Sequence, residues 1–221
     1  MGTTDRKAQI KKLRQEDIID AAEKVFFTKG INNATMDEVA EAAEYSKRTI
    51  YIYFSSKEQI YDAIISRAYQ VLNRFFAESL QNGRPGNGLE KVLLMGQAYF
   101  DFIEKYPNYF AAIANYDTRD DHLTSEDVYK IANYQEGNRG SDMLIACIRE
   151  GMADGSIFKE LDPVSAAFVL YGSMIGIGHI LAKKMPYITH TYQKDVSQLK
   201  DQLIQMIIRS LTAERLPNHT S

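Results

Sequence analysis

The chain has no tryptophan and one cysteine, Cys147, among 221 residues. A single thiol excludes an intramolecular disulfide and a thiolate zinc cluster, and it suits the cytoplasm. The four histidines, 122, 179, 190 and 219, fall at no metal-ligand spacing, so neither metal nor cofactor is expected. Catalytic signatures are missing too: there is no GxSxG, P-loop or HExxH. Gly176-Ile177-Gly178 opens a dinucleotide-type pattern, but Leu181 stands where Gly or Ala is needed, and the segment reads as mid-helix. No basic stretch followed by an apolar one opens the chain, so no cleaved signal is expected. Asn218-His219-Thr220 has the form of a glycosylation sequon, which means nothing in a cytoplasmic protein.

Excess charge is also scarce, at net −3, which at first argues against a polyanion partner. Its distribution reverses that. Residues 1–57 carry 10 Lys+Arg against 9 Asp+Glu, whereas the remainder is net −4. Arg6, Lys7, Lys11, Lys12 and Arg14 against Asp5 make the first fourteen residues net +4. This basic arm has two readings: a strip that neutralises phosphates or enters the minor groove, or a disordered soluble tail.

What is present is helical punctuation. In Thr35–Lys57, Thr35 with Glu38 has the form of a capping box, and Val39, Ala40 and Ala43 give the next helix its apolar face. Glu44 and Tyr45 make a turn. Ser46 is a good N-cap for a second short helix, Lys47 to Phe54, and Ser56 with Gln59 starts a third. This is a helix-turn-helix. Its second helix crowds Lys47, Arg48, Thr49, Tyr51 and Tyr53 around Ile50 and Phe54, a surface suited to phosphates and base edges; the alternative is a solvated basic helix.

The register of these positions, with Ile18, Ala21, Ala22, Phe26 and Gly30 before them and Tyr51, Tyr53, Phe54, Lys57 and Glu58 after, resembles the tetracycline-repressor (TetR) family. The likeness covers about a fifth of the chain. It implies a homodimer that binds an operator through its head and releases it when a small molecule enters the C-terminal body. By placement and chemistry, Thr35, Lys47, Thr49, Tyr51, Tyr53 and Lys57 are assigned mainly to the DNA backbone, Arg48 to a guanine and Ile52 to a thymine methyl, with the N-cap Ser46 counted in the same DNA-binding set. Two positions depart from the family's habit. Glu44 replaces the usual turn glycine, costing about 1 kcal/mol if φ is positive, and Arg48 replaces a small residue or proline.

The expected architecture is all-α: a head over 1–57, a helical ligand-binding and dimerisation body over 58–214, and a disordered tail over 215–221. A connector helix should run from Lys57 to about Asn82, carrying Ile60, Ile64, Ala68, Val71, Leu72 and Phe75 on one side, before a Gly- and Pro-rich loop at 82–88. Further helices are expected from Leu89 to Tyr106, from Pro107, from near Ser125, from about Gly140 to Ala153, from Pro163 to Ala182, and from Asp195 to Thr212.

Six tyrosines between 99 and 134, with Phe100, Phe102 and Phe110, can line a pocket or simply fill a core. The expected effector pocket has walls of Phe100, Phe110, Tyr116, Tyr134, Met143, Phe168, Tyr171 and Met174, with His179 as a polar anchor. Residues 107–135 are net −3, which favours a neutral or cationic effector of apolar or aromatic character over an anion. The uncharged run 163–182 is long enough for a bilayer, but Ser165, Tyr171, Ser173 and His179 interrupt it and no aromatic belt flanks it, so no membrane span is expected. Its small residues Gly172, Ser173 and Gly176, with Leu199, Leu203 and Met206 of the last helix, suit a four-helix dimer interface. A helical protein-binding adaptor, an activator of the same fold and a cofactor-free helical enzyme are the rival readings. Retention of specific duplex DNA separates adaptor and enzyme from a regulator.

Overall fold

The computed structural model describes residues 3–116 and 126–212, with side chains from residue 5, as ten α-helices and no strand among the described residues. They divide into two compact units, Met1–Ala68 with Asn115–Gln135, and Tyr69–Ala114 with Glu136–Ser221. The expected disordered tail lies outside the described residues, as does the acidic loop from Asp117 to Ser125.

In the first unit, α1 (Thr3–Lys29), α2 (Met36–Ala42), α3 (Lys47–Tyr53) and the start of α4 (Lys57–Gly83) enclose one core. Ile18, Ala22, Val39, Ile50, Ile60 and Ile64 are all fully buried in it. α1 ends because Gly30 takes φ +77 and its N–H closes onto the Phe26 carbonyl at 2.8 Å. The acidic side of α1 is neutralised by Arg67 of α4, whose guanidinium reaches Asp20 (2.6 Å), Glu23 (2.9 Å) and Glu16. Burial works against its charge, but hydrogen bonds and attraction from those carboxylates outweigh it, so its pKa is raised.

The described part of the segment Asn115–Gln135 is tied into this unit. Tyr129 stacks on Phe54 with centroids 5.5 Å apart, its hydroxyl accepts from Gln15 Nε2 at 3.0 Å, and Asp127 accepts from Gln59 Nε2 at 2.8 Å. The first unit therefore reaches beyond residue 57.

The second unit contains α5 (Gly88–Lys105), α6 (Pro107–Tyr116, up to Ala114), α8 (Pro163–Lys183), α9 (Met185–Tyr192), α10 (Val196–Thr212), and the later parts of α4 and α7 (Val128–Asp154). Asn87 caps α5 by accepting from Glu90 N–H, and Asp162 caps α8 with Pro163 in its first turn. Two sequence expectations give way here. α7 is one helix through Gly137 and Gly140, where two helices are expected. Gly140 is a close-approach point, where a Cβ would lie 2.9 Å from Asn73 Oδ1, whereas a Cβ on Gly137 would make only ordinary contact with the Tyr69 ring at 3.6 Å. α9 is an additional helix, with Pro186 in its first turn and Gln193 at φ +53 closing it.

Candidate functional site

The helix-turn-helix forms from local rules. Thr35 Oγ1 accepts from Glu38 N–H at 3.3 Å while Glu38 Oε2 accepts from Thr35 N–H at 3.0 Å, completing the capping box. A hydrogen bond from Lys29, then one from the Thr35 backbone, holds the Glu38 carboxyl below the usual carboxylate range. The stabilisation this gives is present above the ordinary glutamate pKa and disappears as pH falls through the lowered one. The turn carries the strain that its sequence announces, because Glu44 sits at φ +56.

Ser46 Oγ accepts from Thr49 N–H at 3.1 Å and opens α3. Ile50 is fully buried and Phe54, the C-cap, is 1% exposed. Opposite them, Arg48 and Ile52 share the outermost edge one turn apart, flanked by Lys47 and Tyr51; all four are exposed. Lys47 is paired with Asp37 at 2.9 Å, an exposed ion pair of small net worth. Tyr53 hydroxyl accepts from Arg14 Nη1 at 3.4 Å, and Tyr45 hydroxyl donates to Asp17 at 2.9 Å, so both ends of α3 are tied to α1.

Lys57 departs from its expected place on a phosphate. Its ammonium donates to the carbonyls of Ile31 (2.8 Å), Asn32 (3.2 Å) and Ala34 (3.0 Å), which uses all three N–H groups. Its work is to hold the loop between α1 and α2. Lys57→Ala is therefore expected to lower unfolding free energy by about 2 kcal/mol, read by urea denaturation, with the salt slope of DNA binding unchanged. Unchanged stability with a slope smaller by about 1 would return Lys57 to the phosphates.

The expected pocket residues separate. In the second unit Phe100, Phe110 and Met174 are buried, and Met143, Tyr171 and His179 are half-buried. Phe110 meets the His179 ring edge-on at 5.6 Å and fills the space a Cβ on Gly178 would need. Lys200 lies over the Phe100 ring at 5.0 Å. Phe168, at 57% exposed, lies on the opposite side of α8 from the buried stripe Ala167, Leu170, Met174 and Gly178; it belongs to the outer face with Val169, Gly172 and Gly176. In the first unit Tyr116 is buried, while Tyr134 is 48% exposed and so lines no enclosed wall of that unit.

Asn133, which no sequence signal singles out, is 1% exposed, and among the described residues neither its Nδ2 nor its Oδ1 has a hydrogen-bond partner. A buried amide of this kind normally meets water or a ligand. Nothing in its sequence neighbourhood marks it as buried.

Among the proposed interface residues, Gly172 and Gly176 are open, since a Cβ on either would meet nothing within 4 Å. Ser173 is half-buried and returns its hydroxyl to the Val169 carbonyl at 2.8 Å; Leu199 and Leu203 are half-buried, and Met206 is 58% exposed. α8 is also the one helix among the described residues long and apolar enough to cross a membrane, and its Gly178 lies close against Phe110 and Ile103.

Residues 18–64 match the family described as Bacterial regulatory proteins, tetR family. Over 91 residues the chain is 33% identical to the HTH-type transcriptional activator FasR of Mycolicibacterium smegmatis, covering 41% of each protein. Over 160 residues it is 28% identical to the A-factor receptor protein of Streptomyces griseus, covering 72% of this chain and 52% of that one. These matches span about half the length of the curated relatives. The fold is similar to that of the transcriptional regulator FadR from Bacillus subtilis, solved in complex with stearoyl-CoA, with a TM-score of 0.63, 19% identity, and coverage of 89% of this chain and 98% of that one. Residues 18–64 thus carry the head of the tetR family of bacterial regulatory proteins, and the helices that follow share the fold of FadR.

Proposed function

We propose that the protein is a ligand-responsive transcriptional regulator, a repressor that binds a palindromic operator as a homodimer and is released by a small, largely apolar or aromatic effector, neutral or cationic. The observation that carries this reading is α3, a capped two-turn helix anchored by Ile50 and Phe54 with Arg48 and Ile52 exposed along its outer edge. A helix of that size fits the major groove, where Arg48 can donate to both guanine acceptors and Ile52 can meet a thymine methyl.

Two-fold assembly is supported by the outer face of α8, where Phe168 and Val169 are 57% and 68% exposed beside Gly172 and Gly176, with Met206 exposed on α10. An apolar effector is supported by the charge-poor group Phe100, Phe110, Tyr171, Met174 and His179 in the second unit. FadR is solved with stearoyl-CoA, whose acyl chain is apolar while its coenzyme A part is anionic, so it supports the apolar character alone.

The test selects a duplex from a random library with the wild-type protein, then measures Arg48→Ala on that duplex and on one mutated at each base pair. Arg48→Ala is expected to cost about 1–3 kcal/mol at one base pair and little on the site already mutated there. Equal loss on both sites makes Arg48 a phosphate contact, and failure to select any duplex removes the regulator reading. Release of the selected duplex is then screened with hydrophobic cations, neutral aromatics, fatty acids and acyl thioesters. Release by small hydrophilic anions alone rejects the pocket.

A further inference from the structure

The basic segment at the start of the chain is helix, the first three turns of α1. Residues 5–14 are all exposed, so nothing in the protomer's core explains why charge gathers there. Its placement does suggest an explanation. Lys7, Lys11 and Arg14 are spaced i, i+4, i+7 and lie on one face of α1. The next position on that stripe is Ile18, fully buried, followed by Ala21 and Ala22. The face that packs into the head thus turns cationic where it passes the edge of the core.

That edge is the recognition helix. Arg14 donates to Tyr53, the last residue of α3, at 3.4 Å, which sets the inner end of the cationic stripe beside the C-terminal end of the helix that carries Arg48 and Ile52. The acids that follow on α1 are engaged within the protein: Glu16, Asp20 and Glu23 with Arg67, and Asp17 with Tyr45. Asp5 falls on the side of the helix opposite Arg14. A stripe of one sign therefore extends outward from the groove-reading helix.

Resting on the reading of the protein as a DNA-binding regulator, we infer that Lys7, Lys11 and Arg14 form a second DNA site that holds backbone phosphates flanking the bases read by α3. At about 1.5 Å rise per residue, Lys7 stands about 10 Å beyond Arg14 along α1, the length of about three base pairs at 3.4 Å each. The site takes phosphates rather than bases, because flexible lysines at helical spacing supply point charges without the planar fork that reads guanine. It lengthens each half-site without adding sequence preference.

The test uses full-length protein carrying Lys7→Ala and Lys11→Ala together, substitutions that remove exposed charge and keep helix propensity, with circular dichroism to check the fold. Binding to the selected operator and to a scrambled duplex is measured across salt concentrations. The salt slope is expected to flatten by about 1.8 per protomer, and affinity at fixed salt to fall about tenfold or more on both duplexes, leaving their ratio unchanged. Removing three flanking base pairs from each end of the operator should weaken the wild type to the level of the variant and leave the variant unaffected.

An unchanged slope with full operator binding makes the stripe a solvated face and overturns the inference. So does a variant that keeps its DNA binding but loses binding to phosphatidylserine vesicles that retain the wild type, which makes the partner a membrane. A wild type that retains no duplex at all overturns the regulator reading as well, an outcome distinct from either of these.

Discussion

Gly88→Ala is expected to lower the thermal midpoint by about 10 °C, from a loss of about 3 kcal/mol at roughly 2–4 °C per kcal/mol for a chain of this size. Gly88 opens α5 where that helix crosses the end of α7. A Cβ there would overlap the backbone nitrogen and Cα of Gly151 and come within 2.7 Å of the Cys147 carbonyl oxygen. Backbone cannot rotate away as a side chain can, so two helices must part to admit one methyl group. Gly151 is pinned from its other side, with Ile157 within 2.6 Å of where its own Cβ would stand. Gly96, one helix interior further along α5 and with nothing within 4 Å of its Cβ position, is the control. Gly96→Ala should raise stability by up to about 1 kcal/mol through helix propensity. Thermal unfolding followed by circular dichroism reads both, and a Gly88→Ala protein melting within two or three degrees of wild type, on the order of 1 kcal/mol, would show that the crossing is not close-packed.

Gly172→Leu is expected to convert the proposed dimer to monomer and to weaken operator binding by about a hundredfold or more, since linking two half-site contacts is worth that much without any further contact. The single chain has room for the leucine: nothing lies within 4 Å of a Cβ at Gly172 or at Gly176. Leucine is also a better helix former than glycine, so the protomer should be at least as stable as before. Any loss must then come from a partner pressed against α8. Sedimentation reads the assembly and gel retardation the binding, with Gly176→Leu as the parallel case. A Gly172→Leu protein that sediments as a native dimer and binds with wild-type affinity sets the interface on another surface.

The parts of the fold legible in the sequence are those governed by neighbours a few residues apart. Thr35 with Glu38, Ser46 with Thr49, and Asp162 before Pro163 are complete signals within one turn, and each forms its cap. Burial of Ile18, Val39, Ile50, Phe54 and Ile60 follows the same logic, because helical period alone assigns their side. Glycines follow a different logic. Gly88 and Gly140 have the residue type of a breaker, yet one opens a helix and the other lies within one, each where another chain segment comes close, and that crossing is a long-range fact absent from local pattern.

The candidate site divides the same way. The outer edge of α3 was readable from its caps and period. Lys57 was not, because an ammonium is chemically as fit for three carbonyls as for a phosphate, and only the path of the loop at 31–34 decides between them. Phe168 shows the limit for aromatic residues: in a helix apolar on every side, residue type does not say which side is the inner one.

The way α3 is held bears on how such a protein could change targets. Its attachment runs through Ser46, Ile50, Tyr53 and Phe54, while Lys47, Arg48, Tyr51 and Ile52 project outward, with Lys47 giving only an exposed ion pair to the rest of the head. Substitutions at those four outward positions should each move stability by about half a kcal/mol or less, whatever they do to the choice of base pair. If α3 reads DNA as proposed, address and scaffold are separate variables, and new operator preferences can be explored, by drift or by library selection, without first strengthening the fold.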